Sequence, residues 1–112
     1  MRISLTDIYE SQPNIFADIG VSEPETHFLK AKLVGEIVRL VRERKLTQSA
    51  AGALMGISQP EVSRMFRGHF REYSVERLMT LLTAFDRDVE ILVRARDGEG
   101  ERGRITVRHE AA

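Results

Sequence analysis

The stretch Thr47-Gln48-Ser49-Ala50-Ala51-Gly52-Ala53-Leu54-Met55-Gly56-Ile57-Ser58-Gln59-Pro60-Glu61-Val62-Ser63-Arg64-Met65-Phe66-Arg67-Gly68 decides the fold. It reads as two short helices meeting at a tight turn. Thr47 offers a side-chain oxygen to the free N–H groups of the first helix, and Gly56 stops that helix. Ser58 and Glu61 have the spacing of a capping box that opens the second helix, with Pro60 in its permitted first turn. The small Ala51 lets the helices cross closely, Ile57 plugs the corner, and Val62 packs the second helix on the first. Val62, Met65 and Phe66 then point inward. Gln59, Glu61, Ser63, Arg64 and Arg67 fall on the outer side.

Helical spacing extends on both sides of this pair. Ser22 and Glu25 repeat the capping-box pattern, and Leu29, Leu33, Ile37, Leu40 and Val41 follow at three- and four-residue steps. They predict a helix over about 23–45. Ser74 caps a further helix carrying Leu78, Leu81, Leu82 and Phe85. After Asp86 the period falls to two: Val89, Ile91, Val93 and Ala95 alternate with Glu90, Leu92, Arg94 and Arg96, which predicts a strand. A charged, glycine-rich loop over 97–103 separates it from a second, shorter strand at 104–108. The expected divisions are an acidic arm over 1–21, a helical body over 22–86 and C-terminal strands over 87–112.

A chain of 112 residues with 42% hydrophobic and 30% charged residues suits one small globular domain with appendages. It has no cysteine, so disulfide scaffolds, thiolate metal centres and cysteine nucleophiles are excluded. His27, His69 and His109 are widely separated, with no carboxylate at ligand spacing, and no metal or other cofactor is expected. Ser49, Ser58 and Ser63 lack a nearby histidine base, and no catalytic constellation is visible; an enzyme is not expected. No apolar run suggests a signal peptide or a membrane span, so the expected location is cytoplasmic.

The seventeen basic and seventeen acidic residues cancel over the whole chain, but not by region. Residues 1–25 carry one basic and five acidic residues, a balance of −4. Residues 26–86 carry ten basic and six acidic, a balance of +4, and residues 87–112 carry six of each. A basic middle beside an acidic arm is the asymmetry a nucleic-acid-binding body with a separate partner segment would have.

Hydrogen-bonding side chains on an exposed helix can reach base edges in the DNA major groove, and Gln59, Ser63, Arg64 and Arg67 have that chemistry. Gln48 and Ser58 lie at helix N-termini, where phosphate oxygens are favoured. Pro60 and Glu61 complete the candidate DNA-binding set. Glu61 has a competing structural role in the capping box, and Arg64 has one in a helix-surface pair with Glu61. Arg39, Arg42, Arg44 and Lys45 read as a solvated face before they read as a DNA contact.

The run Leu46-Thr47-Gln48 … Leu54-Met55-Gly56-Ile57-Ser58-Gln59-Pro60-Glu61-Val62-Ser63-Arg64 … Gly68 resembles the XRE (lambda-repressor/Cro-like) helix-turn-helix family. Ile15-Phe16-Ala17-Asp18-Ile19-Gly20, Leu29-Lys30-Ala31-Lys32-Leu33 and Phe85-Asp86-Arg87-Asp88-Val89-Glu90-Ile91 resemble the HigA-type antitoxin branch of that family. Asp86 stands where that branch usually has glycine; aspartate tolerates the left-handed cap. The resemblance implies a mainly α fold: a four-to-five-helix lambda-repressor-like helix-turn-helix domain with a C-terminal β-hairpin or dimerising strand. It implies a repressor of its own operon that reads double-stranded DNA and neutralises a RelE/HigB-like ribonuclease toxin. A stand-alone regulator without a toxin is the alternative.

An RNA-gripping toxin must present a basic surface. The acidic arm suits that surface, with Ile15 and Phe16 as apolar anchors and Asp18 as a charge. The C-terminal strands predict a homodimer on a palindromic operator. Val89, Ile91, Leu92 and Val93 are the candidate dimer residues, because Leu92 points away from the apolar face and an open strand edge invites a second copy.

Overall fold

The computed structural model describes residues 2–4, 22–96, 98 and 102–110. The candidate toxin-binding residues Ile15, Phe16 and Asp18 lie outside the described residues. The described elements are β1 (Arg2–Ser4), α1 (Glu23–Glu43), α2 (Gln48–Met55), α3 (Gln59–Phe66), α4 (Val75–Thr83) and β2 (Glu90–Leu92). The fold is mainly helical. Its two layers are α1 against α4 and α2 against α3.

Each helix begins as the sequence predicts. The side chains of Ser22, Thr47, Ser58 and Ser74 accept hydrogen bonds from the backbone N–H groups of Glu25, Ala50, Glu61 and Arg77. Each saves one of the donors that a helix start leaves unpaired. The first three helices also stop alike. After α1, Lys45 N–H donates to the Arg42 carbonyl and Leu46 N–H to the Val41 carbonyl, with Lys45 in the left-handed region at φ 54°. Gly56, at φ 75°, ends α2 in the same way and sends Ile57 N–H back to the Gly52 carbonyl. This double reversal satisfies the last carbonyls and turns the chain sharply. Asp86 adopts the left-handed conformation expected of it, at φ 57°. The first helix closes two residues before the expected 45 because Lys45 takes this reversal.

The core is built from the predicted stripes. Leu29, Leu33, Val34, Ile37, Leu40 and Val41 of α1 are buried, as are Val75, Leu78, Met79, Leu81 and Leu82 of α4 and Phe85 beyond it. Val62 and Met65 of α3, Ala51 and Met55 of α2 and Phe70 beyond α3 complete it. Leu54, by contrast, remains exposed. Arg44 straps α1 to the end of α4: its guanidinium donates to the Phe85 carbonyl, lies over the Phe85 ring and pairs with Asp86 at 3.5 Å.

The C-terminal strand forms, but with a different partner. The structure replaces the expected hairpin between 88–96 and 104–108 with an antiparallel pair of β2 and β1, in the register Arg2↔Leu92, Ile3↔Ile91 and Ser4↔Glu90. Residues 102–110 contain no strand. Instead, Val107 packs on the core and His109 Nδ1 lies 3.1 Å from Glu36 Oε1 on α1. The alternation of Ile105 and Val107 fits a strand, but one apolar contact with the helices can use the same spacing. The apolar face of the first strand is also shorter than expected. Val89 and Ile91 pack on the core, whereas Val93 is 54% and Leu92 49% exposed. Through β1, the start of the arm is joined to the C-terminal strand.

The closest crossing is at Gly52, one residue past the Ala51 singled out in the sequence. A Cβ at Gly52 would lie 2.6 Å from the Ile57 carbonyl oxygen and 3.3 Å from Val62 Cγ2. Replacing Gly52 with alanine favours helix α2 locally but forces α2 and α3 apart. The expected net effect of Gly52→Ala is a loss of about 1–3 kcal/mol, as for other overpacked sites. A urea midpoint that falls at unchanged slope would show it; an unchanged midpoint would remove the close approach as a constraint.

Candidate nucleic-acid interface

The α2–α3 pair presents one face of α3 outward. Val62 and Met65 anchor the opposite face and are wholly buried, with Phe66 partly buried beside them. Gln59, Pro60, Arg64 and Arg67 are exposed, and Glu61 and Ser63 are half-buried. An eight-residue helix held at its start by Ser58 and by its inner apolar residues is a stiff support for these side chains. Arg67 caps its C-terminus through backbone bonds, so its side chain is left to solvent.

The structure brings several of the predicted residues together. Gln59 Nε2 donates to Gln48 Oε1 at 2.9 Å, which joins the first turns of α2 and α3. That bond orients the Gln59 amide and leaves the Gln48 NH2 group available to an oxygen acceptor. The Ser58 hydroxyl donates to Glu61 Oε1 at 3.1 Å, and Ser58 N–H donates to the same oxygen at 3.4 Å. The capping box is therefore reciprocal. Ser63, Arg64 and Arg67 follow along α3.

Glu61 is committed within the protein on both oxygens. Its second oxygen, Oε2, accepts from the Tyr73 hydroxyl at 3.2 Å. The side-chain and backbone hydrogen bonds from Ser58 hold the carboxyl below its ordinary range. Burial and the bond to Glu61 push the Tyr73 phenol above its usual value. Tyr73, in the loop between α3 and α4, was not singled out in the sequence; its only signal was an aromatic with a polar tip in a charged segment.

The other basic cluster is spent differently. Arg39 donates to Glu36 and to Glu43 on its own helix, and Arg87 pairs with Glu43 at 3.7 Å. With Arg44 held by Phe85 and Asp86, this face of α1 serves largely the protein's own packing, while Arg42 and Lys45 are exposed. On α3 the Arg64 guanidinium has no hydrogen bond or ion pair among the described residues.

Two helices locked across a tight turn, the second with a polar and cationic outer face, define a helix-turn-helix protein. A family model described as a helix-turn-helix domain matches residues 15–94. A solved structure that carries the provisional description XRE family transcriptional regulator is similar at 37% identity and a TM-score of 0.74, over 80% of this chain and 100% of that one. No curated protein matches the chain. The chain belongs to the XRE helix-turn-helix family.

Proposed function

We propose that the protein is a DNA-binding transcriptional repressor that reads a palindromic operator as a homodimer and acts as the HigA-like antitoxin of a RelE/HigB-like ribonuclease toxin. The family supports the DNA-binding regulator. The observation that carries the reading further is the outer face of α3, where Gln59 is oriented by Gln48 and the Arg64 guanidinium is open to an outside partner. Arg64 reads a base edge, with guanine as the preferred acceptor because its O6 and N7 match a two-pronged guanidinium. Gln59 and Ser63 complete the base contacts. Gln48 and Arg67 set the helix against the phosphates, and Ser58, whose donors are given to Glu61, and Pro60 shape the start of α3 that lies along the DNA backbone. Glu61 holds the start of α3.

The test uses a duplex selected from a random pool by the wild-type chain, with a scrambled duplex of equal length as control. Arg64→Ala should weaken binding to the selected duplex by about 1–3 kcal/mol and relax its sequence preference. An equal loss on both duplexes would make Arg64 a phosphate contact.

One recognition helix reads only a few base pairs, and two of them about a helical turn apart give a usable affinity. The dimer contact proposed for Val89, Ile91, Leu92 and Val93 is supported by the exposed Leu92 and Val93 beside a sheet that, among the described residues, is two strands wide. Sedimentation equilibrium at tens of micromolar should give a dimer that Leu92→Asp weakens. A wild-type monomer would refute the dimer, and a Leu92→Asp dimer of undiminished strength would place the contact on the helices.

The antitoxin role rests on the arm: an acidic segment with Ile15, Phe16 and Asp18 as its contacts, suited to a basic ribonuclease surface. Purified from its native cell, the protein should carry a stoichiometric small basic partner. A chain that comes out alone or with DNA only would favour a regulator without a toxin.

A further inference from the structure

We propose that Tyr73 is a positioning residue for base reading: its hydroxyl occupies the Glu61 carboxylate and so keeps Arg64 free for DNA. The inference rests on the reading of Arg64 given above.

Glu61 and Arg64 stand three residues apart on α3, where opposite charges become neighbours on one helix face and pair. In this structure they attract each other, and the Arg64 charge helps hold the Glu61 carboxyl low, but they form no ion pair. Glu61 Oε1 is taken by the Ser58 hydroxyl and backbone N–H, and Oε2 by the Tyr73 hydroxyl at 3.2 Å. The competition is therefore for Oε2. Tyr73 approaches it from the α3–α4 loop, half-buried and fixed at its base by Tyr73 N–H donating to the Phe70 carbonyl at 3.1 Å. Phe70 itself is buried in the core, so the hydroxyl is delivered to Glu61 by a rigid support.

Arg64 has several rotatable bonds and is exposed, so it must lose more freedom to make the same contact. The preorganised donor wins in the free protein. Without the hydroxyl, Oε2 would have no donor within the fold, and Arg64 would be the nearest cation on the same helix. Pairing would turn the guanidinium back along α3 and place it against a carboxylate instead of a base edge. The anion of Glu61 also stays ionised across the ordinary pH range, because its hydrogen bonds from Ser58 favour the charged form. The attraction for Arg64 is thus always present, and the Tyr73 hydrogen bond to Oε2 is what competes with it.

Binding to the selected and scrambled duplexes by fluorescence anisotropy at one salt concentration tests this. Tyr73→Phe keeps the ring and removes only the hydroxyl. It should lower the ratio of selected to scrambled affinity about two- to fivefold, the range for exchanging one hydrogen bond with one surface ion pair. Adding Glu61→Gln to Tyr73→Phe should restore the ratio, because glutamine keeps the capping geometry but has no charge to hold Arg64. A structural role for Tyr73 would instead lower the thermal midpoint and would not be rescued by Glu61→Gln. An unchanged ratio in Tyr73→Phe, or a loss that Glu61→Gln fails to recover, overturns the proposal. Arg64→Ala in the same assay separates the two readings. If it costs no discrimination, the assignment of Arg64 to base reading falls and this inference with it. If it does cost discrimination and Tyr73→Phe does not, only the role of Tyr73 falls.

Discussion

The approach of α2 to α3 at Gly52 leaves no room for a side chain, since the Ile57 carbonyl would lie 2.6 Å from any Cβ there. The angle and spacing of the recognition pair depend on that contact. Gly56 then closes the turn in a left-handed conformation that a side chain would strain. Val62 fills the space beneath, wholly buried. Only with the two helices at this separation do the Gln48 and Gln59 amides meet. The second layer, α1 on α4, is the platform. Ile37, Leu78 and Phe85 are buried completely at its centre, and truncating such residues costs about 2–5 kcal/mol each.

The charges of this small body are divided between two uses. On α1, Arg39 faces carboxylates of its own helix, Glu36 in a part-buried pair and Glu43 in an exposed one; the exposed pair contributes about 0–1 kcal/mol. Arg44 does more, because it also donates to a backbone carbonyl and covers the Phe85 ring. On α3 the one nearby carboxylate is consumed by a cap and a tyrosine, and the guanidinium is left outward. A whole-chain balance of zero hides this division, since the same residue types stabilise one surface and arm the other.

The first residues of the chain meet the strand that follows α4 in a ladder of three residue pairs. A two-stranded unit this short is marginal in water by itself. Here Val89 and Ile91 support it from below by packing on the core. Residues 2–4 and the strand assigned to dimer contacts are therefore physically connected. The segment over 102–110 is held separately, by Val107 on the core and by His109 on Glu36 of α1.

Local chemistry made much of the fold legible. Four helix starts followed from Ser22, Thr47, Ser58 and Ser74, because a capping oxygen acts within three residues. The stop of α2 followed from Gly56 and the left-handed residue after α4 from Asp86 for the same reason, while the reversal at Lys45 that ends α1 was not legible; the buried stripes followed from their period. The outer residues of α3 were legible because Val62 and Met65 determine which side faces in. Other features depend on residues far apart in the chain. The partner of β2 was misread as its neighbour at 104–108, since an alternating pattern specifies a strand and not which edge the fold brings to it. Gly52 looked like an ordinary helix residue until the second helix was placed against it. Tyr73 gave no pattern at all, because its bond to Glu61 spans twelve residues and exists only once the α3–α4 loop has folded back. Caps, periods and turns act over a few residues and can be read along the chain, while strand partners, backbone clearances and the fate of a single carboxylate are settled by what packing brings together.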